Sequence, residues 1–103
     1  MPETTIYRWS ELPEESAFGV IKRAVQGKGA SVKQVEVPAG CIGERHSHDH
    51  EQFVLVLEGS GTLQCEGGPV DLKPGTVIHF EKDAWHSTVF DTKTLLLEVN
   101  LTH

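Results

Sequence analysis

With 103 residues, 38% of them hydrophobic and 23% charged, the chain has enough apolar material for one domain around one core. A net charge of −6 with the acids spread along the chain excludes the basic patch that nucleic-acid binding calls for, and no apolar run approaches the ~18 residues of a membrane span. Cys41 and Cys65 have neither the spacing of a metal pair nor a secretory context; they read as free thiols, and with no leader in view the expected compartment is the cytoplasm.

The N-terminal stretch, residues 1–16, offers a short strand at Ile6-Tyr7-Arg8-Trp9 and a polar turn at Pro13. Such an arm pairs with a neighbouring subunit in many small β proteins or stays loose. Glu11 to Ala17 is the one stretch with helical character, for a turn or two. A strand is predicted from Phe18 to Val25, a turn at Gln26-Gly27-Lys28-Gly29, and a strand from Ser31 to Val37 stopped by Pro38-Ala39-Gly40. Further strands run over Gln52 to Glu58, Thr62 to Glu66, Val70 to Lys73, Thr76 to Glu81, His86 to Asp91 and Thr94 to Leu101, the last with Leu95, Leu97, Val99 and Leu101 on one face. Glycine-rich turns separate them, Pro74-Gly75 the strongest. Strands recurring about every 8–12 residues make an all-β sandwich or barrel, a single domain over 1–103.

One stretch stands out, His46-Ser47-His48-Asp49-His50-Glu51-Gln52, with three of the six histidines. It runs straight into the apolar Phe53-Val54-Leu55-Val56-Leu57, and polar groups against a core strand are costly unless paired or metal-bound. On a strand His46 and His48 share a face about 6.6 Å apart, a spacing from which two imidazoles can converge on one ion. Gln52 would lie ~13 Å further along a straight strand, so the chain must turn at Asp49-His50-Glu51, and a hairpin there brings Gln52 back beside the histidines. Gln52 then shares a face with Val54 and Val56; Glu51, the competing ligand, goes with Phe53, Leu55 and Leu57. His50 falls in the turn and faces solvent. His79 lies opposite Ile78 and Phe80 as a hydrogen-bonded barrel residue with a pocket role open to it. Trp85 is a pocket wall, core or interface aromatic, and His103 a loose terminus. Tyr7, Arg8 and Arg23 are surface groups within reach of an anionic substrate.

The pattern resembles the cupin superfamily, in particular small single-domain cupins with a His-x-His-x-His-Glu-Gln string. Gly40, His46, His48, Gln52 and Gly59 keep every spacing of the family's first motif, with glutamine in place of the usual glutamate. In the second motif Gly75 and His86 fit, while Glu81, Asp83 and Phe90 stand where proline, glycine and asparagine are usual. The resemblance implies a double-stranded β-helix, and a homodimer, since small cupins pair. Carried across residue by residue, it implies a divalent transition metal (Ni, Zn, Mn, Fe or Cu) held by His46, His48, Gln52 and His86.

Three imidazoles and an amide leave the ion's charge uncompensated, which favours Lewis acidity and an anionic small-molecule ligand over tight metal retention. The expected function is metal-dependent isomerase or lyase chemistry on a small carboxylate, keto or sugar-acid substrate, in a cup lined by Val54, Val56, Ile78 and Phe90. Cupins of pectin degradation that open unsaturated uronates carry an aspartate and a phenylalanine near the positions of Glu98 and Asn100. An Fe(II)-dependent dioxygenase and a non-catalytic metal- or ligand-binding module are the alternatives.

Overall fold

The computed structural model describes residues 2–102. Its strands are β1 (Glu15–Ala17), β2 (Val20–Gln26), β3 (Ala30–Val37), β4 (Ile42–His46), β5 (Gln52–Glu58), β6 (Gly61–Cys65), β7 (Gly68–Leu72), β8 (Val77–Phe80), β9 (His86–Phe90) and β10 (Thr94–Leu101). They pair antiparallel into a six-stranded sheet, β1-β2-β3-β10-β5-β8, and a four-stranded sheet, β4-β9-β6-β7. From β3 onward the chain keeps crossing between the sheets, returning to the small one at β4, β6 and β9 and to the large one at β5, β8 and β10. This winding is the double-stranded β-helix that the sequence implied. Among the described residues no helix is long and apolar enough to cross a membrane.

The inner faces meet in one core of Val35, Val37, Val54, Val56, Leu63, Leu72, Phe80, Phe90 and Leu96, where each large aliphatic contributes about 1.5–3 kcal/mol by leaving water. Gly59 ends β5 with φ +101°, and a Cβ there would sit 2.3 Å from Thr94 Oγ1 and 2.6 Å from Lys93 O, so only glycine fits where β5 gives way to β6. Both thiols are free, as read.

Five local expectations differ from the structure. Ile6 to Trp9 forms no strand, because the arm finds no ladder within its own chain; a 3-10 turn, Trp9–Glu11, follows instead. Glu11 to Ala17 is not helical, and its end is β1. Phe18 leaves the strand to join Gly19 in the two-residue β1–β2 hairpin, where both have positive φ (53° and 81°), the requirement of a turn that follows the strands' twist. A strand was expected under His46 and His48, but β4 runs over Ile42–His46 and stops there; Ile-Gly-Glu-Arg-His has little of the apolar alternation that marks a strand. Finally, Gln52 is not returned by a hairpin: the bend at Asp49-His50 carries the chain from one sheet to the other.

Candidate metal centre

β4 ends on His46, β9 begins on His86, and the ladder sets them directly opposite each other. His48 lies two residues past the end of β4, not on it, so strand alternation is not what aligns it with His46. The loop is tied down instead: the Asp83 N–H donates to the His48 carbonyl at 2.7 Å. Asp83 has φ +66°, a left-handed conformation that aspartate tolerates, which explains why the cupin motif usually has glycine there. The result is three rings in mutual contact, with centroids 5.0 Å apart for His46–His48, 4.3 Å for His46–His86 and 5.4 Å for His48–His86. One nitrogen from each lies within 4.8 Å of the other two.

Backbone carbonyls choose which nitrogens are available. His46 Nδ1 donates to Glu44 O at 2.7 Å and His86 Nδ1 to Ala84 O at 3.4 Å, leaving Nε2 of both with a free lone pair. His86 is buried and stacks on Phe80 at 4.1 Å, which fixes its plane. Burial, then the neighbouring His46 and His50, hold the His48 ring below its usual pKa; burial, then His46, do the same for His86. Both rings are therefore neutral donors at pH 7, a set suited to a transition metal.

Gln52, 4% exposed at the start of β5, lines the same cup as His48 and His86, a cavity of about 90 Å³ that also has Val54, Val56, Ile78 and Phe90 in its wall. Its Nε2 donates to Asn100 Oδ1 at 2.9 Å, leaving the carbonyl oxygen as the end able to reach a cation. Glu51 takes the other face: its carboxylate accepts from His79 Nε2, and His79 stacks on Phe53 at 4.7 Å. His50 is only half-exposed, because its Nε2 donates to Asn100 Oδ1 at 2.9 Å; it does not face solvent freely. Trp85 stands outside the cup, with Arg45 4.1 Å over its ring and Nε1 donating to Glu66. Arg23 pairs with Glu14 and Glu36, Tyr7 and Arg8 are exposed, and His103 falls outside the described residues.

The structure adds to the cup an acid that the sequence reading named only beside the aspartate of the uronate-opening cupins and gave no place in the site. Glu98 lies in the wall of the cup between Leu96 and Asn100 on β10. Burial pushes its carboxyl above the usual range, against the opposing pull of Lys22, Lys33, His46 and His50. The signal was present in the alternation of β10, where Thr94, Glu98 and Asn100 share the phase of Leu96, but the apolar phase looked like the inner one.

The family model for the cupin domain matches residues 33–100. Over 76 residues the chain is 34% identical to L-ectoine synthase of Mycolicibacterium vanbaalenii, covering 72% of this chain and 58% of that protein. It is 39% identical over 44 residues to dimethylsulfoniopropionate lyase DddW of Ruegeria pomeroyi (43% of this chain, 29% of that protein). It is also 39% identical over 46 residues to the HTH-type transcriptional activator RhaS of Mannheimia succiniciproducens (45% and 17%). The chain thus spans 58% or less of the length of these curated relatives. Among solved structures, an RmlC-like cupin from Shewanella frigidimarina superposes with a TM-score of 0.88 at 17% identity (98% of this chain, 93% of that one). KdgF from Halomonas sp. superposes with a TM-score of 0.88 at 19% identity (98% and 96%). At such identities the structures speak for the fold, whereas the family model spans well over half of the chain, histidine cluster included: this chain belongs to the cupin family.

Proposed function

We propose that this chain is a small metal-dependent enzyme acting on an oxygenated, anionic substrate by isomerase- or lyase-type proton chemistry. The observation that carries the reading is a cluster of three imidazoles, two of which, His48 and His86, line a cup of about 90 Å³ together with a buried amide and a partly buried carboxyl. His46, His48, His86 and Gln52 would hold a divalent transition metal, Ni, Zn, Mn, Fe or Cu, which when bound supplies Lewis acidity toward a substrate oxygen. Glu98 is the group placed to take and return a proton, since a carboxyl raised by burial sits nearer to working pH than a solvated one. The cup excludes water with Val54, Val56 and Ile78, and through Phe90, Leu96 and Glu98 it adjoins an open groove of about 700 Å³ beside β1, β2 and β4, where Lys22 can meet an anionic substituent. Two of the curated relatives, a synthase and a lyase, support catalysis; the match to a transcriptional activator favours the second reading, a ligand-binding module.

The test is elemental analysis of protein purified without added metal, followed by proton–deuterium exchange on a panel of small keto acids and unsaturated sugar acids. His48→Ala should empty the site, and Glu98→Gln should keep the metal and lose about 100-fold or more in exchange. Unchanged metal in His48→Ala refutes the ligand set; tight binding of these acids without turnover selects the binding module. Oxygen uptake in place of exchange, with iron as the retained metal, selects the dioxygenase.

We also propose a homodimer in the cytoplasm, a compartment that suits two free thiols. Support comes from the outer face of the six-stranded sheet, where Leu57 and Val77 are 44% and 64% exposed beside Phe53, Leu55 and Leu97.

A further inference from the structure

Asn100 is 8% exposed near the end of β10, opposite Gln52 on one side of the ladder and Ser31 on the other. Its Oδ1 accepts two hydrogen bonds of 2.9 Å, from Gln52 Nε2 and from His50 Nε2. A carboxamide oxygen has two lone pairs, so both are taken. This arrangement has a direction. Two acceptors face the ring, Asn100 Oδ1 2.9 Å from Nε2 and Asp49 Oδ1 3.3 Å from Nδ1; the shorter contact places a proton on Nε2, and that N–H requires the oxygen end of Asn100. The oxygen end of Asn100 in turn requires the nitrogen end of Gln52.

Direction matters because a glutamine amide has two chemically opposite ends. Its oxygen is a ligand for a hard or borderline cation, while its NH2 group repels one. An unrestrained amide would present either. Turning Gln52 over would set its oxygen against Asn100 Oδ1, breaking a buried hydrogen bond and creating a repulsion between two acceptors. Turning Asn100 as well would aim its NH2 at the His50 N–H, and relieving that clash would require the ring to move its proton to Nδ1, beside Asp49 Oδ1.

We infer that Asn100, itself fixed by His50, is a positioning residue that commits Gln52 to the metal through its carbonyl oxygen. The inference rests on the metal reading proposed above and deepens it. It assigns the third histidine of the His-x-His-x-His string a task other than ligation: His50 is the clamp at the far end of a relay, anchored in the bend between the two sheets. It also gives a reason why this chain works with glutamine where a glutamate is usual, since a carboxylate at position 52 would face Asn100 Oδ1 acceptor to acceptor.

The experiment compares Asn100→Leu, which keeps the size and removes the acceptor, with Asn100→Asp, which keeps an acceptor for both donors. Zn(II) and Co(II) affinities are measured by titration, and the visible spectrum of the Co(II) protein reports its ligands. Asn100→Leu should weaken binding about 10–100-fold and give the Co(II) spectrum of Gln52→Ala; Asn100→Asp should bind at least as tightly as the original, with its spectrum. Should Asn100→Leu fail to fold, His50→Leu supplies the same test from the other end, and His50→Gln, whose amide N–H can replace the ring N–H, should restore both affinity and spectrum. Original affinity and spectrum in Asn100→Leu, or in His50→Leu where that variant stands in, overturn the relay, as does a Gln52→Ala protein that binds like the original. If His48→Ala abolishes binding in that case, the metal reading survives and the relay alone fails; if the original protein binds neither ion, both fall.

Discussion

The two faces of β10 are the reverse of what hydropathy alone would arrange. The face turned inward has Thr94, Leu96, Glu98 and Asn100, and the face turned outward has Leu95, Leu97, Val99 and Leu101. Yet Thr94, Leu96 and Asn100 are the buried ones, while all four outward residues are only half-buried. The inner polar groups are tolerated because each has a task or a partner. Thr94 Oγ1 donates to Thr92 O at 2.9 Å, Asn100 joins Gln52 and His50, and Glu98 borders the cup. The second sheet supplies the grease that the inner face of β10 lacks, through Leu63, Leu72 and Phe90. The lesson is that alternation in a strand separates two faces without saying which is inside; the polar face goes in when it lines a cup and finds partners there.

The largest expected effect comes from breaking the inner face at its start. Gly59→Ala should cost about 4 kcal/mol, from left-handed backbone strain added to overlap with Thr94, and urea unfolding measures it. A loss below about 1 kcal/mol would mean that the β5–β6 turn and Thr94 are not packed as described. Next comes a matched pair across the strand. Leu96→Ala, inside, should cost about 3 kcal/mol at any protein concentration. Leu97→Ala, outside, should cost under about 1 kcal/mol at concentrations where the chain is monomeric and distinctly more where it is paired. Equal, concentration-independent losses would remove the case for a second copy on the outer face.

A pH test separates the site from the rest of the inner face. In the metal-free protein the His48 and His86 pKa values lie below their ordinary 6.5, so the unfolded chain binds protons that the folded one refuses. Their contribution to stability is full above pH 6.5 and is lost as the pH falls through the lowered folded values. Melting temperature should therefore drop between pH 7.5 and 5, and the drop should shrink in His86→Leu. An equal drop in that variant would place the titrating groups elsewhere.

How much of this was legible follows from where the signals lie. β5 and β10 were read with their observed bounds because apolar alternation and flanking glycine, proline or lysine-threonine turns agree there. The nearness of His46, His48 and His86, with Gln52 in the same cup as the last two, was legible from motif spacing, although the geometry assumed for it was wrong: a sheet crossing and the Asp83–His48 hydrogen bond bring the rings together, and neither leaves a local trace. Glu98 and Asn100 entered the sequence reading only through the family resemblance, and the part each plays was not legible for the reason β10 teaches, since it depends on which face is enclosed. Ile6 to Trp9 has strand-forming residues and no strand, because a ladder needs a partner that the chain's own sheet does not offer it.

The smallest effect is the most informative about that enclosed face. Glu98 stands across from Lys33 on β3 and from Val54 on β5, and burial still outweighs the lysine and holds its pKa up. With a folded pKa above the unfolded value of 4.5, the folded state prefers the neutral acid, and stability is lost as pH rises through the folded value. Glu98→Gln removes that penalty while keeping shape, so the metal-free variant should be more stable than the original at pH 7 by about 1 kcal/mol, and the gain should vanish below pH 4.5. Val99→Gln, one residue along on the outer face, should show no such pH-dependent gain. A Glu98→Gln protein that gains nothing at pH 7 would mean that the carboxyl is solvated or fully satisfied by Lys33, and the cup would then hold no acid poised for proton transfer. A gain accompanied by lost turnover would show stability given up inside the barrel for chemistry.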